Sequence, residues 1–172
     1  MRKAHRIERI RSFAPIARRD ARVLILGSIP GKKSLAARQY YAHKQNSFWR
    51  IVGELLGIDP HAPYRMRLLA LKSARIAVWD VLHSCVRQGS LDTKIEFGSE
   101  KPNDFRAFFR AHEKITHVFF NGAKAEASFK RHVHRKIDVD SYVLARLPST
   151  SPAHASLSYP RKLNAWQAIL RG

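Results

Sequence analysis

The sequence predicts an α/β fold in which helices cover both faces of a parallel β-sheet. Four short apolar runs are continuous rather than alternating, and segments with helical spacing of apolar residues lie between them. Continuous apolar runs are typical of strands that are covered on both faces. Because strands and helices alternate along the chain, the strands are expected to run parallel.

The four apolar runs are the predicted strands. They cover residues 22–26, 75–82, 117–120 and 142–147. The loops that follow begin at Gly27, Asp80, Asn121 and Pro148. Open parallel sheets bind ligands beyond the carboxyl ends of their strands, so we expect function in these four loops.

Apolar residues at helical spacing predict the helices. The segment 48–56 is followed by Gly57, a typical helix stop. The segment 159–170 has Ser158 as a possible N-cap and Pro160 in its first turn. The other predicted helices cover residues 66–71, 105–109 and 123–133.

Charge is the unusual feature of the composition. The chain has 172 residues, with 32 Lys and Arg against 13 Asp and Glu, so its formal net charge is +19. We expect one domain over residues 1–172, opening with a basic helix at about residues 1–20 whose pattern is clearest at 7–13. Such a surface attracts polyanions, nucleic acid first and an anionic membrane second.

Several classes of protein are disfavoured. Cys85 is the one cysteine, which excludes a disulfide framework, a four-cysteine zinc site and an iron–sulfur cluster, and we expect it to be structural. No apolar run approaches the ~20 residues of a membrane span. The basic N-terminus lacks the apolar core of a signal peptide. We therefore expect a cytoplasmic protein that does not cross a membrane and holds no metal cluster.

The first loop, residues 27–34, contains two glycines and two lysines. Three residues separate Gly27 from Gly31, whereas a phosphate-binding P-loop needs four, so a nucleoside triphosphatase is disfavoured. The plain alternative is a tight strand-to-helix turn. Backbone amides in such a turn can still hold an anion or a base carbonyl.

Residues 40–49 mix aromatic, polar and basic side chains. Phe48 and Trp49 are expected in the core. Asn46 or Ser47 is a suitable N-cap for the helix that follows. From local sequence, Tyr41 and Asn46 are explained equally well by these structural roles and by contact with a nucleobase.

The remaining loops also leave alternatives open. Asp80 suits a base or a turn cap, and Asn121 suits a left-handed turn or a contact with a base edge. Residues 147–155 hold three hydroxyls and His154, which suits phosphate contacts or a plain Ser/Pro loop.

Five motifs occur in order at residues 26–31, 40–49, 79–81, 119–122 and 147–152. As a set they resemble the uracil-DNA glycosylase superfamily, and most closely its hypoxanthine-DNA glycosylase branch. The resemblance implies a three-layer α/β/α sandwich with a central four-stranded parallel sheet. It also implies a monofunctional enzyme that flips out a deaminated base and hydrolyses its N-glycosidic bond, leaving an abasic site. Such an enzyme requires no metal and no cofactor.

The resemblance also implies roles for particular residues. Ile29 stands where the mismatch-specific uracil glycosylases place a catalytic Asn, and an aliphatic side chain cannot orient water. In the hypoxanthine branch that role falls to an Asn that matches Asn46. His154 is expected to donate to the departing base, and Asp80 is the reserve candidate for activating water. The expected base-binding residues are Gly27, Ser28, Tyr41 and Asn121. The expected DNA-backbone contacts are Lys32, Lys33, His43, Lys44, Ser149, Thr150 and Ser151.

DNA containing a deaminated base is therefore the expected partner, with uracil slightly favoured over hypoxanthine, and we expect the protein to act as a monomer. The alternative from another class is a non-catalytic basic module that binds nucleic acid. It needs the same charge but no polar pocket.

Overall fold

The computed structural model of the chain describes residues 9–172. A four-stranded parallel sheet lies at its centre, with the strands in the spatial order β3-β2-β6-β7. The strands are β2 (Val23–Gly27), β3 (Ile76–Asp80), β6 (His117–Asn121) and β7 (Val143–Leu147). Helices flank this sheet, so the predicted α/β fold with a four-stranded parallel sheet is confirmed.

The register of the parallel sheet brings the strand ends to one edge. Gly27 lies opposite Asp80, and Asn121 lies opposite Leu147. Every residue of β2 and β3 is buried, as continuous apolar runs predict for strands covered on both faces. The loops that follow the four strands therefore meet at a single edge of the sheet.

Six α-helices are present among the described residues. They are α1 (Lys32–Ala37), α2 (Phe48–Leu56), α3 (Tyr64–Ser73), α4 (Phe105–Ala111), α5 (Ala123–His132) and α6 (Tyr159–Trp166). Gly57 ends α2 in the left-handed conformation, and Ser158 precedes α6 as its N-cap, both as predicted. The predicted last helix stops earlier than expected, because Gln167–Arg171 forms a 3₁₀ turn. Helix α1 has six residues and no clear apolar stripe, which is why its sequence does not predict it.

A small antiparallel sheet accompanies the parallel one. It contains β1 (Arg9–Arg11), β4 (Leu82–Val86) and β5 (Lys101–Pro102), with β4 in the middle. The apolar run at 75–82 thus spans two strands, since the chain leaves β3 at Asp80 and enters β4 at Leu82.

The predicted helix at residues 7–13, part of the basic helix expected at about 1–20, is wrong where the structure describes it. Arg9–Arg11 is a strand, and Ile10 lies opposite Cys85 of β4 while its two arginine neighbours are exposed. This alternation with a period of two residues suits a half-covered strand rather than a helix. Ile16 also bridges to Val78 of β3. Residues 1–8 of the expected helix lie outside the described part of the chain.

The core contains the residues for which the sequence favours burial. Phe48, Trp49 and Cys85 are all buried, as predicted. The Trp49 ring donates from Nε1 to the Tyr40 carbonyl oxygen at 2.8 Å, which ties α2 to the segment before it. None of the helices within residues 9–172 is long and apolar enough to cross a membrane.

Candidate active site

A cavity of about 760 Å³ opens at the carboxyl edge of the parallel sheet. Its walls come from the loops after β2, β3, β6 and β7, together with the segment before α2. Every predicted site residue except Lys44 lines this cavity. Its volume lies within the usual range for small-molecule sites, and it is large enough to hold a nucleobase.

Gly27 allows two polar groups to meet at the floor of the cavity. A Cβ atom at this position would lie 2.6 Å from Oδ1 of Asp80 and 3.0 Å from the hydroxyl oxygen of Tyr41. Real Cβ contacts are not as short as 2.6 Å. The absence of a side chain at position 27 is therefore required for Asp80 and Tyr41 to approach the end of β2.

Asp80 is a buried acid in the cavity wall. Its side-chain Oδ2 finds no hydrogen-bond partner among the described residues. Burial raises the pKa of Asp80 to about 8, with the nearby Asp92 charge adding to the effect and Arg87 opposing it. Asp80 therefore holds a proton at neutral pH in a substantial share of molecules.

Tyr41 is held in an unusual conformation beside Asp80. Its φ angle is 55°, in the left-handed region that non-glycine residues seldom adopt. One face of its ring stacks on Phe48, with centroids 4.0 Å apart and planes at 22°. Its hydroxyl is buried beside the Asn121 side chain and makes no hydrogen bond of standard geometry among residues 9–172. Burial, helped by the charge of Asp80, raises the pKa of this hydroxyl well above its usual value.

A buried arginine fixes the first loop. The Arg87 guanidinium donates to the Pro30 carbonyl oxygen at 2.5 Å and lies 3.5 Å from Oδ1 of Asp92. Ser28 in turn donates to Oδ2 of Asp92 at 2.5 Å. Asp92 lines the cavity, but the sequence gives no sign of it, because it lies in a polar segment without periodicity or a motif.

Asn46 serves as a helix cap and also lines the cavity. Its Oδ1 accepts a hydrogen bond from the backbone N–H of Phe48 at 3.0 Å, while the backbone N–H of Asn46 donates to the His43 carbonyl oxygen at 2.9 Å. Ser47 occupies the N-cap position of α2. Capping and a polar role in the cavity are thus compatible, since a carbonyl oxygen has two lone pairs.

Asn121 joins two of the cavity loops. Its Nδ2 donates to the Thr150 hydroxyl at 2.9 Å, and its Oδ1 accepts from the Thr150 amide at 2.9 Å. The left-handed turn considered for Asn121 occurs instead at Gly122, whose φ is 92°. Gly122 also leaves room for Ser149, whose Cβ would lie 2.9 Å from an added methyl group.

The structure corrects the expectation for Thr150. Only 1% of this residue is exposed, and its hydroxyl accepts from Asn121 instead of facing solvent. Its carbonyl oxygen accepts from the amide and the hydroxyl of Ser47, at 3.0 and 3.3 Å. Thr150 therefore braces the loop, and its hydroxyl is not free to face a DNA backbone. Ser149 and Ser151 stay partly exposed on the same loop.

His154 lies exposed at the end of this loop, on the cavity wall. Lys162 of α6 is buried, and its Nζ donates to the His154 carbonyl oxygen at 2.6 Å. Trp166 donates from Nε1 to the Pro148 carbonyl oxygen at 2.9 Å. Helix α6 thus fixes both ends of the loop that carries the imidazole.

Exposed basic side chains line part of the cavity. Lys32 and Lys33 are exposed on the first turn of α1 and line the opening, as does the exposed His43. Lys44 is exposed next to His43 but does not line the cavity. Within residues 9–172, no group of three or more His, Cys, Asp or Glu side chains is placed to hold a metal ion.

A family model and two relatives that match this chain are all described as DNA glycosylases. The family model for the uracil DNA glycosylase superfamily matches residues 14–170. A protein of Methanosarcina acetivorans named hypoxanthine DNA glycosylase is 35% identical over 162 residues, which covers 94% of this chain and 98% of that protein. A protein of the same name from Methanosarcina barkeri is 40% identical over 114 residues, covering 66% of this chain and 71% of that protein.

A solved structure has the same fold. The solution NMR structure of a candidate uracil DNA glycosylase from Methanosarcina acetivorans matches with a TM-score of 0.80 and 33% sequence identity. The match covers 95% of this chain and 98% of the other.

Proposed function

The chain belongs to the uracil DNA glycosylase superfamily, and from this premise we propose that it excises deaminated bases from DNA by hydrolysing the N-glycosidic bond. The observation that carries the proposal is the cavity at the sheet edge, which is lined by Tyr41, Asn46 and His154 and also by the exposed Lys32 and Lys33. The names of the two relatives support hypoxanthine as a substrate. Uracil is the second substrate we propose.

Binding begins with the DNA backbone. The exposed Lys32 and Lys33 attract phosphates regardless of sequence. The glycosidic bond of a stacked nucleotide is out of reach, so the target nucleotide must rotate out of the duplex into the cavity. Tyr41 would stack on the extruded base with the ring face that Phe48 leaves free.

Cleavage then breaks the bond between C1′ of the sugar and the base nitrogen. The bonding electrons leave with the base, the sugar gains positive charge, and water supplies a hydroxyl to C1′ and a proton to the solvent or base. An amide is not basic, so Asn46 would orient this water by hydrogen bonding. His154 would donate to the base as negative charge develops on it.

Single-turnover excision from oligonucleotides containing one uracil or one hypoxanthine tests the proposal, because alkali cleaves the strand only where a base has been lost. We expect cleavage at the lesion by the wild-type protein, and a loss of about 100-fold or more in Asn46→Ala with duplex binding retained. Asn46→Ser keeps a capping oxygen and is expected to be equally slow, which separates the lost amide from a lost cap.

Two outcomes would contradict these roles. A wild-type rate in Asn46→Ala would remove Asn46 from the chemistry, and an unchanged rate in His154→Ala would do the same for His154. The non-catalytic binding module would instead retain both oligonucleotides without cleaving either. Thermal unfolding of each variant shows whether a slow rate reflects a damaged fold.

A further inference from the structure

Two polar groups at the floor of the cavity have no use in the mechanism above. Oδ2 of Asp80 and the hydroxyl of Tyr41 are both buried without a partner in the described part of the chain. Both side chains approach the end of β2, because a Cβ atom at position 27 would lie 2.6 Å from Oδ1 of Asp80 and 3.0 Å from the hydroxyl oxygen of Tyr41. Buried polar atoms are nearly always hydrogen-bonded, so a pair of unpartnered atoms in one cavity wall indicates that a ligand completes them.

We propose that Asp80 recognises the deaminated base itself, by pairing its protonated carboxyl group with the lactam edge of the base. The carboxyl hydroxyl donates to the ring carbonyl of the base, and the other carboxyl oxygen accepts the adjacent ring N–H. This inference rests on the proposed glycosylase function and assigns Asp80 a role in specificity in place of the activation of water.

Deamination changes this edge of the base in one consistent way. An exocyclic amino group becomes a carbonyl, and the neighbouring ring nitrogen gains a hydrogen. Cytosine and adenine present a donor beside an acceptor, whereas uracil and hypoxanthine present an acceptor beside a donor. A neutral carboxyl group is complementary to the second pattern, so one side chain suits a pyrimidine and a purine lesion alike.

The surroundings of Asp80 favour its neutral form. Asp92 faces it from the 3₁₀ turn after β4, and Tyr40 and Tyr41 face it from the segment before α2. The positive charge of Arg87 favours the ionised form of Asp80, but its guanidinium donates hydrogen bonds to the Pro30 carbonyl oxygen and to Asp92. Burial together with these neighbours raises the pKa of Asp80 to about 8.

Ionisation of the Asp80 carboxyl group would reverse its preference for a deaminated base over an undamaged one. A carboxylate accepts the ring N–H of a lesion but repels its carbonyl oxygen, and it accepts readily from the amino group of an undamaged cytosine or adenine. Thymine and guanine carry the same lactam edge as the lesions, so other walls of the cavity must exclude the methyl group of thymine and the amino group of guanine.

The test compares wild-type protein with Asp80→Asn and Asp80→Ala in single-turnover excision of uracil between pH 6 and 9. An asparagine side chain offers the same donor and acceptor at every pH. We expect Asp80→Asn to remain within about tenfold of the wild-type rate at pH 7, and Asp80→Ala to lose about 100-fold or more. The ratio of the Asp80→Asn rate to the wild-type rate should rise by about tenfold between pH 7 and pH 9.

Using this ratio cancels any ionisation of the DNA base, because both proteins meet the same substrate. A general-base role predicts the opposite result: Asp80→Asn as slow as Asp80→Ala, and a wild-type rate that rises through pH 8. Either observation, or a ratio that does not change with pH, would overturn the proposal. If the variants do not fold, the wild-type rate between about pH 6 and 7.5 decides, because uracil stays neutral there. Lactam pairing predicts a level rate over this range, and a general base with the pKa of Asp80 predicts a rise of about tenfold per pH unit.

These outcomes are separable from failure of the proposed function. A wild-type protein that cleaves neither lesion at any pH contradicts the glycosylase activity itself. A wild-type protein that cleaves uracil while Asp80→Asn does not contradicts only the pairing by Asp80.

Discussion

Position 27 shows how a missing side chain can shape a site. Gly27 allows the Asp80 carboxyl and the Tyr41 hydroxyl to reach the end of β2, and both groups stay unpartnered there. An unpaired buried polar group costs roughly 1–3 kcal/mol, and a left-handed residue such as Tyr41 costs a similar amount. The floor of the cavity is therefore less stable than an apolar floor would be, which is typical of functional sites.

Substitution of this glycine should disable the site. In Gly27→Ala, the new methyl group would overlap Oδ1 of Asp80 at 2.6 Å, so Asp80 and Tyr41 must move away. We expect a fall of about 100-fold or more in single-turnover excision, together with a lower melting temperature.

Gly31→Ala in the same loop is the matched control. Its new methyl group would meet only Ser90, at 3.9 Å, and its φ of −77° is accessible to alanine. Near-wild-type excision is expected in this variant. If Gly27→Ala were as active as Gly31→Ala, the close approach at position 27 would have no functional importance.

At the scale of elements, the loop after β7 is held by three neighbours. Asn121 at the end of β6 makes two hydrogen bonds to Thr150, and Ser47 at the start of α2 makes two more. Trp166 and Lys162 of α6 bind its two ends. The position of His154 is thus set by residues on three separate elements.

Thr150→Val tests this bracing because it keeps the shape of the side chain but removes the hydroxyl. Nδ2 of Asn121 would then lose its acceptor, so we expect a decrease of about 1–3 kcal/mol in the free energy of unfolding. Excision should slow as well, since the loop loses an anchor.

The same change at an exposed site provides the control. The Thr116 hydroxyl lies 2.8 Å from the His117 ring in an exposed position, so Thr116→Val should change stability by less than about 0.5 kcal/mol. Equal effects of the two substitutions in chemical denaturation would show that the bracing by Thr150 contributes little.

The parallel sheet can be predicted from sequence because its strands are buried on both faces and therefore leave continuous apolar runs. The antiparallel sheet cannot be predicted in this way. Its strands β1 and β5 have three and two residues, and β4 follows β3 after one residue, without a turn signal to separate them. Pairing with distant segments, rather than local propensity, determines these short strands.

The residues of the candidate site also divide into those that the sequence predicts and those that it does not. Strand-end residues such as Asp80 and Asn121 are predictable because the topology of a parallel sheet places them at one edge. The inward hydroxyl of Thr150 and the link from Arg87 to Asp92 are not, because they depend on which side chains meet after the loops fold. The sequence indicates which polar groups are present, but not which of them are hydrogen-bonded to one another in the folded protein.

Over the whole molecule, a net charge of +19 supplies binding that does not depend on base identity. Affinity for undamaged duplex DNA should therefore fall steeply with salt, because each neutralised phosphate releases counterions. In the proposed glycosylase, choice of the lesion would come from the few groups at the cavity floor, which contribute little to the total charge.

Lys33→Ala should reduce the slope of log affinity against log salt concentration by about one unit, if this lysine contacts a phosphate. Arg22→Ala is the control, because Arg22 is exposed just before β2, at the opposite edge of the sheet. Titration of a labelled duplex between about 50 and 200 mM salt measures both slopes. An unchanged slope in Lys33→Ala, or an equal change in Arg22→Ala, would place the DNA on another face.

The position of Cys85 gives the chain a built-in chemical reporter. This thiol is the only one in the sequence, and it is completely buried opposite Ile10 in the antiparallel sheet. Burial also raises the pKa of Cys85, which lowers the fraction of reactive thiolate. An alkylating reagent can therefore reach it only when the packing around β4 opens, so the rate of alkylation measures how often this part of the native protein opens.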